Sequence, residues 1–421
     1  MLKSLLWTVA ALGALTAAHA QTIDPSSDLG QFRAFRAAGM DALDKGDTTE
    51  ALAQFDKAYE VMPDSPSVLL LKAQAELQAH RLDDAHAALA EYAERGFVLD
   101  LARNPDFNQV WDGDLDNEIK ANGEAVGEMR VAATLPGFTL TDAMAYAPDS
   151  NQIFAAGIRT GKVVAVSPLG SRDVITFRAG VAAYGLGLRD NMLWATTAAT
   201  RQTKSYAGQD IVSKVVVINP ANGQVTASFS DASQPDRRFG HLLLGRSDLY
   251  VADTTHGEVL RLAGYEGELK PLVPEGYMDA PSGLAENEAG DVLMVSDFIS
   301  GLYRVDLMAG SLTRLAPPAD GSLLGISSLS RYGDDLIAVE NGVKPAKVLR
   351  LHMSPDWKMV EKVEVLLRSD QLVQPAQGSV SDDRFLFVAQ SQWADMDEQG
   401  NPVGDAPDPA VIGVINLTPA P

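Results

Sequence analysis

The sequence predicts a mainly β protein in which a closed six-bladed β-propeller follows an N-terminal α-helical domain. Three observations predict this fold. A short apolar strand recurs along the chain at a propeller-like spacing, one further strand upstream belongs to no repeat, and the region before the repeats is rich in Ala, Leu, Glu and Gln. We place a leader segment at residues 1–20, the helical domain at 29–126 and the propeller at 127–421.

The composition bounds the classes of protein to consider. A chain of 421 residues is long enough for two or three domains, and a hydrophobic content of 46% allows a large core. The formal net charge is −22. Nucleic acids and anionic membranes need a basic surface, so neither is expected as a partner.

The first residues, MLKSLLWTVAALGALTAAHA, have the layout of a secretory signal peptide. Lys3 precedes an apolar run, and small residues around Ala18 and Ala20 predict cleavage after Ala20. A membrane anchor is the alternative, but the apolar run is short for a spanning helix. The sequence contains no cysteine, which excludes disulfides and thiolate metal sites. We therefore expect a soluble product, periplasmic or secreted, without a membrane span after signal removal.

The helical domain begins with a pattern that predicts two closely packed helices. Small residues at Gly39 and Ala51 allow the helices to approach, and Phe55 fills the groove between them. Pro63 ends the second helix.

A second copy of this pattern follows one period later, with Ala73, Ala85, Leu89 and Tyr92 in register. The pair of copies resembles the tetratricopeptide repeat, whose period is about 34 residues. Two copies are fewer than the roughly three that a free-standing array needs, so we expect the helices to pack against the rest of the chain or a second copy. The resemblance implies a protein or peptide partner for this domain, with a purely structural cap as the alternative.

The propeller prediction rests on one recurring strand. Its copies are IFAAG (153–157), LWATT (193–197), LYVAD (249–253), LMVSD (293–297), LIAVE (336–340) and LFVAQ (386–390). The copies are spaced by roughly 40 to 55 residues, as in propeller blades. Each is followed by another strand, and every unit except the last adds one more.

The last unit lacks a strand because the sequence reaches Pro421 just after VIGVINL. MRVAATL, residues 129–135, precedes the first unit and has no blade of its own. Pairing of these two segments would complete the last blade and leave few open sheet edges. An open stack of sheets would leave the spare strand unexplained.

In a propeller blade the innermost strand starts at one mouth of the central channel and the next strand returns to it. Residues at these two ends are therefore expected to line one pocket. The candidate ligand-binding residues at this mouth are Asp142, Tyr184, His241, Asp253, His256, Asp297, Glu340, Asn341 and Gln392.

Three repeat units carry a recognisable pattern: DAMAYAPDSNQIFAAGIRTGKVVAVSPLG, PSGLAENEAGDVLMVSDFISGLYRVDL and GISSLSRYGDDLIAVENGVKPAKVLRL. Over roughly residues 130 to 417, the sequence resembles the senescence-marker-protein and gluconolactonase family of six-bladed propellers. The resemblance implies a metal-dependent lactonase, in which one Glu, two Asn and one Asp hold calcium or a similar divalent ion. Such oxygen ligands suit a hard cation, which would polarise the lactone carbonyl.

Carried onto this sequence, the four metal positions of the family fall on Asp142, Phe239, Ser282 and Ser327. Asp142 is the one anionic candidate metal ligand that remains. We therefore expect a binding protein without a cofactor, whose channel mouth holds a small ligand or peptide. The alternative is a metal-dependent hydrolase of lactones or esters, with a divalent metal such as calcium held by Asp142 and a rearranged carboxylate.

Overall fold

The computed structural model describes residues 23–418, apart from residues 138, 209, 210, 232, 398, 405 and 406. The expected signal peptide at residues 1–20 lies outside the described residues. The chain forms an N-terminal helical domain and a six-bladed propeller, which confirms the predicted fold class.

The helical domain contains two antiparallel helix pairs and a final short helix. Its helices are α1 (Asp28–Asp44), α2 (Thr48–Val61), α3 (Pro66–Gln78), α4 (Leu82–Glu94) and α5 (Gly113–Ala121). None of the helices in the described part of the chain combines the length and the apolar character needed to cross a lipid bilayer.

The close packing of α1 on α2 follows from a glycine facing an aromatic ring. A Cβ atom on Gly39 would lie 2.4 Å from Cε1 of Phe55, whose side chain is completely buried. Ser27 and Asp47 are the N-cap residues that precede α1 and α2, and each side chain accepts a hydrogen bond from a backbone N–H of the first turn. The two-helix unit predicted from the small residues is thus confirmed.

The propeller consists of six antiparallel sheets, each of four strands. The strands of blade 1 are β2 (Thr141–Ala147), β3 (Gln152–Gly157), β4 (Lys162–Ser167) and β5 (Gly170–Thr176). Those of blade 2 are β6 (Val181–Arg189), β7 (Met192–Ala199), β8 (Lys214–Ile218) and β9 (Val225–Phe229). Those of blade 3 are β10 (Phe239–Leu244), β11 (Leu249–Asp253), β12 (Glu258–Leu262) and β13 (Lys270–Val273).

The remaining blades follow the same order. The strands of blade 4 are β14 (Pro281–Glu286), β15 (Val292–Asp297), β16 (Gly301–Asp306) and β17 (Ser311–Arg314). Those of blade 5 are β18 (Ile326–Tyr332), β19 (Asp335–Glu340), β20 (Lys347–Met353) and β21 (Val360–Arg368). Blade 6 contains β22 (Gly378–Ser381), β23 (Arg384–Gln390), β24 (Ala410–Asn416) and, from the start of the domain, β1 (Arg130–Leu135).

The first strand of each of blades 1–6 lies at the centre of the ring, where it contacts the first strands of the neighbouring blades. The second strands are almost entirely buried, because apolar side chains on both faces pack against the adjacent blades. Between blades 4 and 5, for example, Met294 packs in one cluster with Leu336 and Leu349.

Strand β1 closes the ring by pairing antiparallel with β24, from Arg130 opposite Val414 to Leu135 opposite Ala410. The segment before β1 is held by blade 5. Val126 and Arg368 exchange two backbone hydrogen bonds of 2.9 Å.

The helical domain packs against blades 4 and 5, as the small number of repeats led us to expect. Asp64, in the loop between α2 and α3, is fully buried and accepts a hydrogen bond of 2.9 Å from the backbone N–H of Leu323. It also forms an ion pair of 3.4 Å with Arg314, which donates to the carbonyl of Val61 at 2.9 Å. A charged pair therefore lies inside the contact between the two domains.

The fit of the segment before β1 can be tested with two glycines of similar backbone conformation. Gly127 has a φ of +71° and Gly137 a φ of +79°. A Cβ on Gly127 would lie 2.1 Å from the carbonyl oxygen of Leu366, whereas one on Gly137 would meet nothing within 4 Å. We predict that Gly127→Ala lowers the free energy of unfolding in urea by about 1–3 kcal/mol more than Gly137→Ala. Equal losses would show that blade 5 does not constrain this segment.

The buried ion pair between the domains gives a second prediction. Asp64→Ala leaves the guanidinium of Arg314 buried without its partner and should lower the free energy of unfolding by about 3–5 kcal/mol. The matched control is Asp41→Ala, which breaks an exposed pair with Lys45 on α1 and should cost less than about 1 kcal/mol. Urea unfolding followed by circular dichroism measures both. A loss for Asp64→Ala as small as that for the control would contradict the role given to the pair.

Candidate functional site

A cavity of about 120 Å³ lies at one mouth of the propeller, where the first strands of the blades begin. Its walls are largely apolar and include the rings of Tyr184, Phe239, Phe298 and Trp393. The polar side chains around it are Asp142, Thr200, Arg238, His241, Thr254, Ser282, Ser327, Asn341 and Gln374. An apolar cavity with a few convergent polar groups has the composition of a small-molecule site.

Asp142, near the start of β2, is the carboxylate of the cavity. Its Oδ1 accepts a hydrogen bond of 3.0 Å from Nε1 of Trp393, and its Oδ2 lies 4.0 Å from Nε2 of His241. The side chain is 23% exposed, so its charge is only partly solvated. The indole hydrogen bond thus engages one of the two carboxylate oxygens.

His241 lies opposite Asp142 on β10, with only 12% of its side chain exposed. Burial lowers the pKa of His241, and the charge of Asp142 opposes this shift without cancelling it. The imidazole is therefore neutral at neutral pH, so it does not balance the charge of the carboxylate.

Tyr184 and Thr200 form a hydrogen-bonded pair of hydroxyl groups in the cavity wall. Burial raises the pKa of Tyr184, which therefore stays a neutral phenol. The pair supplies a polar edge to an otherwise aromatic wall.

Two amide oxygens in the cavity wall lack a hydrogen-bond donor. They are Oδ1 of Asn341 and Oε1 of Gln374, and both atoms are buried. Nδ2 of Asn341 donates to the carbonyl oxygen of Pro375 at 2.6 Å, which fixes the orientation of the amide because a carbonyl only accepts. Gln374 has a φ of +49°, a left-handed conformation that is uncommon for a residue with a side chain. Unpaired buried acceptors cost free energy, so they mark a place for a donor from outside the chain.

The structure brings together four of the sequence-predicted site residues in this cavity, namely Asp142, Tyr184, His241 and Asn341. The other five are not among the residues that line this cavity, and each contacts other groups of the protein.

Asp253 and Asp297 are the last residues of β11 and β15 and are fully buried. Each carboxylate accepts backbone hydrogen bonds from the turn that follows its strand and from the loop that precedes the first strand of the blade. Burial nevertheless raises the pKa of Asp297. These carboxylates hold the adjacent turns in place.

The remaining three are likewise engaged within the protein. Nδ1 of His256 lies 2.9 Å from Oδ2 of Asp253. Glu340 forms a buried ion pair of 3.0 Å with Lys347. Oε1 of Gln392 accepts from the backbone N–H of Leu140 at 2.9 Å.

The sequence analysis missed several lining residues, and three positions show why. Thr254, Phe298 and Asn341 line the cavity, and each directly follows the buried acidic residue that ends its strand. Successive side chains along a strand point in opposite directions, so the residue after the buried acidic residue lines the cavity. Only Asn341 of these was predicted. Arg238 and Gln374 carried no recognisable signal, because they lie in loops.

The four positions to which the family resemblance assigned a metal all line the cavity, but their side chains do not fit a divalent ion. Phe239 offers no ligand atom. The hydroxyl of Ser282 donates to the carbonyl of Ile326 at 3.0 Å, and that of Ser327 donates to Val339 at 3.3 Å. Asp142 is left as a single carboxylate, whereas calcium takes six to eight oxygen ligands.

Within the described residues, another cluster has the composition of a metal site: Asp253, His256 and Glu258. The guanidinium of Arg237 already occupies it. Nη1 lies 2.6 Å from Oδ2 of Asp253 and also contacts Glu258, and Nε lies 3.1 Å from Asp231. A cation would have to displace a buried arginine, so this cluster does not fit a metal ion either.

Comparison with known proteins supports the helical assignment by sequence. Residues 42–97 match the tetratricopeptide repeat family. A comparison with curated proteins finds no match.

Similar solved structures include a gluconolactonase from Xanthomonas campestris, with 13% sequence identity and a TM-score of 0.46. The match covers 70% of this chain and 92% of the gluconolactonase chain. The calcium-binding protein regucalcin from Agrobacterium tumefaciens shows 13% identity over 63% of this chain and 86% of its own, with the same TM-score of 0.46. A luciferin-regenerating enzyme shows 8% identity, coverage of 70% and 96%, and a TM-score of 0.46. These neighbours are of the kind that the sequence resemblance indicated. At these values the similarity carries no argument about activity.

The buried histidine predicts a specific dependence of stability on pH. The pKa of His241 is lower in the folded than in the unfolded state, so the folded state binds fewer protons and is destabilised as the pH falls through the unfolded value. The free energy of unfolding of the wild type should therefore fall more between pH 7.5 and pH 5 than that of His241→Gln, by at most about 1.4 kcal/mol per pH unit. Urea titrations at each pH measure this difference. Parallel curves would show that His241 titrates alike in both states.

Proposed function

We propose that the protein binds a small organic molecule in the cavity at the propeller mouth. The observation that carries the proposal is a largely apolar cavity with a few polar groups, whose wall includes Asn341. The Oδ1 atom of Asn341 is buried without a donor, and the contact with Pro375 fixes the orientation of its amide. A ligand that donates a hydrogen bond there would remove the cost of an unpaired buried acceptor.

The surroundings of Asn341 support a ligand with an apolar body. Phe298 and Trp393 provide ring faces, and the largely apolar walls lose little on excluding water. The cavity is large enough for several water-sized groups. The apolar walls and the small volume of the cavity together favour a compact molecule over an extended peptide.

Metal-dependent hydrolysis of lactones or esters is the alternative that the family resemblance suggests. A single carboxylate at Asp142 and serine hydroxyls that donate to backbone carbonyls give this alternative little support. No step of such a reaction can be derived from the residues present.

The helical domain supports the cavity in addition to any role in docking a protein or peptide partner. Phe298 lines the cavity, and the next residue, Ile299, packs against the apolar cluster around Leu29 and Met62. The tetratricopeptide match supports the docking role in general terms and identifies no partner. Export to the periplasm or the medium remains part of the proposal and rests on the leader segment.

Ligand binding can be tested by thermal denaturation of the purified protein against a panel of small aromatic and polar compounds. We expect at least one compound to raise the melting temperature and to bind with measurable heat. Asn341→Leu should weaken this binding about tenfold or more, because an acceptor within the site is lost. The matched control is Asn416→Leu, an exposed asparagine on β24, which should leave the affinity unchanged.

The same preparation distinguishes the two functions. Turnover of a lactone panel that requires added Ca²⁺ and is lost in Asp142→Ala would favour the hydrolase and contradict binding as the function. The proposal also fails if no compound in the panel binds and mass spectrometry of the denatured protein detects no retained molecule.

A further inference from the structure

In the part of the chain that the structure describes, no arginine or lysine is recorded within ion-pair distance of the Asp142 carboxylate. Among the described residues, the one basic side chain within ion-pair distance is His241, at 4.0 Å. Burial keeps this imidazole neutral. A partly buried negative charge with one indole hydrogen bond and no counter-charge is costly unless a ligand supplies a cation.

One short segment of the chain connects the two unpaired amide oxygens with Asp142. This segment, residues 374–377, enters the first strand of blade 6. The carbonyl of Pro375 accepts from Asn341 at 2.6 Å, and the N–H of Gln377 donates to the backbone carbonyl of Asp142 at 3.2 Å. Asn341, Gln374 and Asp142 therefore lie close together in the cavity wall.

The rings that surround these acceptors suit the same kind of ligand. Tyr184, Phe298 and Trp393 all line the cavity. The faces of aromatic rings attract cations, and indole does so most strongly. An apolar wall with a carboxylate and two amide oxygens therefore combines the elements that recognise an organic ammonium group.

We infer that the ligand of the cavity is a small primary amine, whose ammonium group pairs with Asp142 and donates to the amide oxygens of Asn341 and Gln374, and whose body packs against the aromatic wall. This inference rests on the proposed function, because it names the chemical class of the ligand for the same cavity.

Two other classes of ligand fit these groups less well. A polyol would donate hydrogen bonds to the acceptors but would leave the charge of Asp142 unbalanced. An anion would be repelled by Asp142 and by the two amide oxygens. Arg238 also lines the cavity and is itself engaged with the protein.

The experiment compares three ligands that share one ring and differ in charge: benzylamine, benzyl alcohol and benzoate. Isothermal titration calorimetry of the full chain at pH 7.5 measures their affinities. Benzylamine should bind about tenfold or more tightly than benzyl alcohol, because charged hydrogen bonds are the stronger ones, and benzoate should bind most weakly.

Asp142→Asn removes the charge with little change in shape and should abolish most of the preference for benzylamine over benzyl alcohol. The matched control is Asp149→Asn, an exposed aspartate on the same blade, which should keep the preference. Equal affinity for the amine and the alcohol, or tighter binding of benzoate, would overturn the inference while leaving the cavity as a binding site. If none of the three binds and the wider panel also gives no ligand, the proposed function itself fails.

Discussion

The antiparallel pairing of β1 with β24 is the contact on which the rest of the structure depends. Without β1, blade 6 would have three strands and an unpaired edge along β24. The cavity depends on this closure because its walls are assembled from strand starts around the whole ring. Asp142 comes from blade 1 and Ala376 from the loop entering blade 6, and they meet only when the ring is closed.

The helical domain contributes to both the closure and the cavity. Arg368 donates at 2.9 Å to the carbonyl of Ala121, at the end of α5, and so ties this domain to blade 5 just before β1 begins. Val343 packs in the apolar cluster of α3 and α4, and the preceding Gly342 lines the cavity. In the turns that follow the second strands of blades 4 and 5, one residue thus lines the cavity and the next packs against the helical domain. The domain is a supporting element of the site.

The sequence predicts the blade repeat, and the strand lacking from the last blade, because the second strand of each blade is buried on both faces. Each of these strands therefore appears in the sequence as a short apolar run. The side-chain direction at the end of those strands is not readable in the same way. Asp297 looks like a polar residue at a channel mouth, yet it accepts hydrogen bonds from the next turn, and Phe298 faces the cavity instead. A carboxylate followed two or three residues later by a serine, as with Ser300, is a signal for such a turn. The positions of Arg238 and Gln374 depend on loop packing, which local sequence does not specify.

The cavity separates what the fold determines from what the side chains determine. The register of the first strands brings Asp142, Phe239 and Ser282 to one place, whatever residues occupy those positions. The chemistry then follows from the residue types. Phe239 offers no atom that binds a metal ion and Ser282 offers a neutral hydroxyl, so Asp142 is the carboxylate of this set, beside a neutral imidazole. The fold therefore fixes which positions line the cavity, and the residue types at those positions decide which ligand chemistry the cavity offers.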